Sequence, residues 1–185
     1  MRIETFEIDG PLLITPARRG DERGFFSETF RQDAFDQAVG PTAFVQDNHS
    51  RSHRKGVIRG LHYQAPPFAQ GKLVRVARGA VYDAAVDIRH GSPTFGRHIA
   101  VELSEADGRQ LWIPPGFLHG FCTLTDDVDF LYKVTAYYSR EHDGGVSPTD
   151  PDIGVKWPLN GVEPLVSDKD RAAPRLKDLP PIFRL

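Results

Sequence analysis

Punctuation constrains the fold of this chain most: short runs of alternating apolar and polar residues, cut by glycine and proline before they can grow long. The 185 residues hold 17 glycines and 15 prolines, recurring at intervals typical of strand-to-strand turns. Strand patterns cover residues 3–8, 12–15, 24–30, 44–52, 57–64, 72–77, 80–89, 97–103, 110–113, 118–124 and 127–138. The clearest places Tyr82, Ala84, Val86 and Ile88 on one face and Asp83, Asp87 and Arg89 on the other, as the two-residue period of a strand requires. Only residues 32–39, with apolar Ala34, Phe35, Ala38 and Val39, and a short turn near 168–173 read as helical. Many short strands with almost no helix between them pair antiparallel. The expected fold is therefore all-β, a jelly-roll sandwich or barrel. There is no fixed repeat, low-complexity tract or linker, so one domain over 1–185 is expected. The proline-rich stretch 174–185 ends in Ile182-Phe183-Arg184-Leu185 and is expected to pack back on the body.

Composition removes several function classes. A net charge of −2 and a pI near 6.4 argue against a nucleic-acid surface, while leaving room for a local cationic pocket. The single cysteine, Cys122, cannot form an internal disulfide and suits a reducing compartment. No apolar run approaches the roughly 18 residues of a membrane span. The chain opens directly on an alternating strand pattern from Arg2 rather than on a signal peptide. A cytoplasmic protein is expected, with no membrane partner.

Residues 56–72 concentrate the polar chemistry: Arg59, His62, Gln64, Gln70 and Lys72 sit among strand formers, as in a strand lining a charged cavity. Taken alone, His62 reads more readily as a satisfied core or surface imidazole than as a base. Desolvating Arg59 and Lys72 costs several kcal/mol unless each meets an anion. Strict alternation separates Arg59 from His62, and Gly60 between them is where a bulge could re-aim one of them. His119 lies between Phe117 and Phe121 after a Pro-Pro-Gly turn, either as core or as a polar group in a pocket. Tyr132 belongs to an aromatic stripe that is ordinarily core, and acts as an acid only if its hydroxyl enters a cavity. Arg18, Arg19 and Arg23 surround a turn that is either solvated or phosphate-binding. His49 and His53 share a strand face, but no carboxylate completes a ligand set and nearby cations oppose one, so no metal is expected. Dinucleotide and Walker-type glycine loops are absent.

Several stretches then resemble the dTDP-4-dehydrorhamnose 3,5-epimerase family. They are residues 48–52, Asn-His-Ser-Arg-Ser, residues 56–64, Gly-Val-Ile-Arg-Gly-Leu-His-Tyr-Gln, and residues 70–76, Gln-Gly-Lys-Leu-Val-Arg-Val. Residues 87–96, 114–121, Tyr132-Lys133 and Ser167-Asp168-Lys169-Asp170 continue it in the family's order and spacing. The resemblance implies a cupin-type jelly roll that needs no metal or cofactor, works as a homodimer and keeps its active site inside the barrel. The implied substrate is a dTDP-4-keto-6-deoxyhexose, epimerised at C3 and C5. By position His62 matches the catalytic base, Asp170 its supporting carboxylate, Tyr132 the acid and Lys72 the cation near the C4 oxygen. Arg59 and His119 match residues lining the sugar and diphosphate pocket. Arg23, Phe26, Glu28, Gln46, Asn48 and Glu141 match nucleotide contacts, Arg23 reaching across the dimer. Residues 144–151 and Ala84-Ala85 depart from the familiar pattern. The same residues would equally serve an epimerase acting at one carbon; a silent sugar-nucleotide binder and a metal-dependent cupin are the other readings.

Overall fold

A computed structural model describes all 185 residues. In chain order its strands and helices are β1 (Arg2–Thr5), β2 (Leu12–Thr15), β3 (Arg18–Asp21), β4 (Gly24–Ser27), α1 (Gln32–Val39), β5 (Gln46–Ser52), β6 (Val57–Gln64) and β7 (Lys72–Arg78). There follow β8 (Ala80–Asp87), β9 (Arg89–His90), β10 (His98–Ser104), β11 (Gln110–Ile113), β12 (Phe117–Thr123) and β13 (Val128–Val134). The chain closes with β14 (Asp143–Gly145), β15 (Leu165–Val166), α2 (Asp168–Arg171) and β16 (Phe183–Arg184). The runs 12–15, 32–39, 57–64 and 110–113 have the bounds their patterns predict.

Two sheets face each other, antiparallel except where β15 runs parallel to β6. The first has the order β1-β2-β11-β7-β13-β5; the second runs β10-β8-β12-β6, with β14 and β15 sharing the outer edge of β6. Between them lie 14 buried apolar residues, among them Val74, Val81, Leu111, Phe121 and Phe130, each stabilising the sandwich by roughly 1.5–3 kcal/mol if a large side chain is fully withdrawn from water. The outer faces are covered as well. Helix α1 lays Phe35 against Leu73 and Trp112 on the first sheet. The C-terminal stretch puts Val146, Ile153, Leu176 and Phe183 over Leu61, Val86 and Leu118 of the second. The tail packs back as expected, and Phe183 pairs with Arg89 in a short parallel ladder.

Strand β8 has the two faces its pattern predicts. Its apolar face, Tyr82, Ala84 and Val86, is turned outward under the C-terminal cover, where Tyr82 meets Trp157 and Val86 joins the outer cluster. The face carrying Asp83 is turned inward with Val81 and Ala85. Period two says which residues share a face; it does not say which face is the core when both are buried. Asp87, also fully buried, accepts hydrogen bonds from Arg89, Ser92 and Thr94. Burial pushes its carboxyl up, but these donors outweigh it and hold it at about 2.

Candidate active site

At one end of the sandwich the apolar filling stops at Phe121 and Phe130, whose rings stack 4.1 Å apart. Above them opens a cavity of about 500 Å³ lined by Arg59, His62, Lys72, His119, Tyr132 and Asp170, among others. A second lobe of about 390 Å³ shares His62, Lys72, Tyr132 and Lys169 and adds Gln46, Asn48 and Asp143. Eight of the twelve residues singled out in the sequence therefore converge on one space.

Gly60 brings Arg59 and His62 to it together. His62 is opposite His119 and Arg59 opposite Phe121, so β6 carries one more residue than β12 between those pairs. That extra residue is a β-bulge, and it returns two residues of opposite parity to one face. Glycine is required here: Gly60 has φ +112°, and a Cβ would lie 2.6 Å from the His119 carbonyl oxygen. Arg59 is held by Ser52 Oγ and the Arg51 carbonyl, each 3.2 Å away.

His62 Nε2 donates to Asp170 Oδ1 across 2.6 Å. The imidazole is 32% exposed and the carboxylate only 6%, so the ring meets solvent while its partner is sealed behind it. Asp170 sits on the four-residue α2, whose cap Ser167 accepts from the Asp170 amide. The Gly60 amide donates to its second oxygen. Burial pushes the Asp170 carboxyl up, and the hydrogen bond and charge of His62, with Gly60 and Ser167, more than cancel this and hold it below the usual range. On the other side, β14 approaches so closely that a Cβ on Gly145 would lie 2.7 Å from the Leu61 carbonyl and 3.2 Å from the His62 ring.

Lys72, on β7, and Tyr132, on β13, face His62 from the opposite sheet. Burial lowers the Lys72 ammonium to about 8, partly offset by the charges of Asp143 and Asp83. No hydrogen bond or ion pair to the protein engages it. Burial also raises the Tyr132 phenol, with Arg59 acting against it and Asp143 with it. At the mouth Lys169 pairs with Asp143. Gln46 donates to Asn48 at 2.8 Å and accepts from the Tyr138 amide at 3.0 Å, which fixes both amides on the wall of the second lobe. His119 holds Asp83 beneath the cavity, with both carboxylate oxygens 3.0 Å from Nε2.

The remaining four residues lie outside the cavity. Arg23 and Phe26 are exposed on the hairpin of β3 and β4, where Arg23 pairs with Asp21; Glu28 and Glu141 are exposed too. His49 and His53 point away from the cavity, to Asp129 and Asp127. The sequence reading missed Asp83, Asp143, Lys169 and Gly145. Two aspartates alternating within an apolar strand were the available signal for Asp83, and Lys169 stood beside Asp170 in a recognised stretch. For Asp143 and Gly145 the sequence carried no such sign.

The family model for dTDP-4-dehydrorhamnose 3,5-epimerase matches residues 5–178. The chain belongs to that family. It is 53% identical to the dTDP-4-dehydrorhamnose 3,5-epimerase of Shigella flexneri, over 92% of this chain and 93% of that protein. With the enzyme of that name from Sinorhizobium fredii it shares 50%, over 100% and 94%. A crystal structure of dTDP-6-deoxy-D-glucose-3,5-epimerase from Legionella pneumophila, in complex with dTDP-4-keto-L-rhamnose, superposes with a TM-score of 0.95 at 46% identity, covering 100% of this chain and 98% of that one. The two-sheet sandwich of the present epimerase-family chain is thus the family's cupin-type fold, and residues 144–151, where the sequence departs from the familiar pattern, include the end of β14 that pairs with His62.

Proposed function

We propose that this chain converts dTDP-4-dehydro-6-deoxy-D-glucose to dTDP-4-dehydro-L-rhamnose by inverting C3 and C5, each through an enolate of the C4 ketone. One observation carries the reading: His62, backed by Asp170, and Tyr132 line a single cavity from opposite sheets. Inversion needs a proton taken from one side of a carbon and returned on the other, so base and acid must stand across the substrate.

In this reading His62 takes the C3 or C5 proton. A neutral imidazole has a ring nitrogen free to accept a proton. Asp170 fixes its tautomer and stabilises the imidazolium. A positioned general base gives a rate gain of roughly 10²–10⁴, so the enolate charge needs its own partner. Lys72 supplies it: an ammonium brought to about 8 is still charged at neutral pH and is a better proton donor to an enolate oxygen than an ordinary lysine. Such preorganised donors are worth about 3–4 kcal/mol. Tyr132 returns the proton on the far side. Arg59 orients the diphosphate, and Gln46 and Asn48 take the nucleotide end. Every group the chemistry requires is a side chain.

The same reading makes the molecule a single-domain homodimer. Phe26 is 71% and Phe25 63% exposed on the β3–β4 hairpin, beside Arg23 and outside this chain's own cavity lining, which suits a hairpin that completes a partner's nucleotide site. No helix is long and apolar enough to cross a membrane, and the buried thiol of Cys122 suits the cytoplasm.

Incubation with the 4-keto sugar nucleotide in heavy water tests the reaction directly. Deuterium is expected at both C3 and C5. Exchange at neither carbon by folded protein would sink the proposal, and label at one alone would reduce it to a single-carbon epimerase.

A further inference from the structure

The mechanism above leaves the most deeply buried charge of the site without a task. Asp83 is wholly inaccessible to solvent, on the inward face of β8 between Val81 and Ala85. Burying a carboxylate costs several kcal/mol unless it is well paired, and an apolar residue would serve packing better at that position. Its two oxygens both lie 3.0 Å from Nε2 of His119. The His119 side chain is itself only 9% exposed and its ring lies nearly parallel to that of Phe130, 6.0 Å away. Nothing in the protein engages its Nδ1. Lys72 faces Arg59 and His62 on β6, His119 on β12, Asp143 on β14, Tyr132 on β13, Lys169 and Asp170 on α2, Tyr138 and, from β8, Asp83.

We propose that Asp83 is a positioning residue for the epimerisation: it holds His119 with the Nε2 proton on the carboxylate and Nδ1 turned to the substrate, and it supplies counter-charge for the Lys72 ammonium. This rests on the reaction proposed above. With Nε2–H committed, neutral His119 can only accept at Nδ1, which suits a sugar hydroxyl as the group it recognises. Burial pushes the Asp83 carboxyl up, and the charge and hydrogen bond of His119 with the charge of Lys72 pull against it; as a carboxylate it keeps Lys72 a donor while the sugar is bound, without a direct ion pair that would compete with the enolate oxygen.

Two experiments test it. Nitrogen–proton correlation of the histidine rings in the unaltered protein should place the His119 proton on Nε2; a proton on Nδ1 overturns the proposal. Asp83→Asn keeps shape and removes charge. It should move the alkaline limb of kcat/KM to lower pH by about one unit and lower kcat about tenfold or more, with KM changed less than about threefold and Asp83→Glu restoring part of the loss. An unmoved alkaline limb together with wild-type kcat also overturns it. Should Asp83→Asn not fold, the ring measurement still decides. Absence of turnover in the unaltered protein would remove the reaction proposed above and leave the ring assignment standing.

Discussion

Lys72 gives the residue scale its most direct consequence. Its function in the proposed reaction requires the ammonium, and burial has brought that group to about 8. Turnover is therefore expected to fall as pH rises through about 8, and kcat/KM measured from pH 6 to 10 should show that limb. Lys72→Met should abolish the limb along with most of the activity. The same lowering acts on stability in the opposite sense: between about 8 and 10.5 the unfolded chain binds more protons at this site, so its contribution to stability grows as pH rises. Asp170 behaves as a carboxylate held below its ordinary value of 3.8. Its stabilising contribution is full above that value and lost as pH falls through the folded-state one. Asp170→Asn should flatten the acid limb of stability measured by urea unfolding below pH 4, and should also cost turnover by misdirecting the His62 tautomer. His62→Ala is expected to lose about 10²–10⁴ in exchange rate while still binding dTDP by calorimetry; near-normal turnover would reassign the base.

At the scale of elements, two glycines hold the site together. Gly60→Ala forces a Cβ to within 2.6 Å of the His119 carbonyl at φ +112°, a backbone clash that nothing flexible can relieve. The expected result is a loss of about 2–4 kcal/mol in stability, read by thermal unfolding. Gly145→Ala meets the His62 ring at 3.2 Å as well as the Leu61 carbonyl. Its signature should be a drop in kcat larger than its drop in Tm would explain. Strand existence was legible in the sequence because turn residues and period two act locally: 12–15, 57–64 and 110–113 needed nothing beyond their own residues. The pattern also located Gly60 as the place for a bulge. What could not be read was the inward face of β8, since the residues that cover its outward face come from the C-terminal stretch. The β3 strand read as a turn because all four of its residues are exposed, leaving no apolar face to mark it. The strand predicted over 127–138 ends at Val134; beyond it Gln64 takes up the Tyr137 carbonyl and the Ser139 amide, hydrogen bonds that no pattern within 127–138 announces.

The whole molecule carries an expectation of its own. Light scattering after size exclusion should give about twice the 20.7 kDa of one chain, and Phe26→Ser should weaken dTDP binding with little change in Tm. A monomer with full activity would detach the hairpin from the site. The tail adds a temporal consequence. His62 and its carboxylate are 108 residues apart, and Asp170 reaches the base only because the C-terminal segment folds over the second sheet. A ribosome therefore releases the entire sandwich before it releases the partner of the base. In the proposed reaction His62 would gain its carboxylate only once the segment bearing Asp170 has docked, which would make full turnover a reporter of that docking.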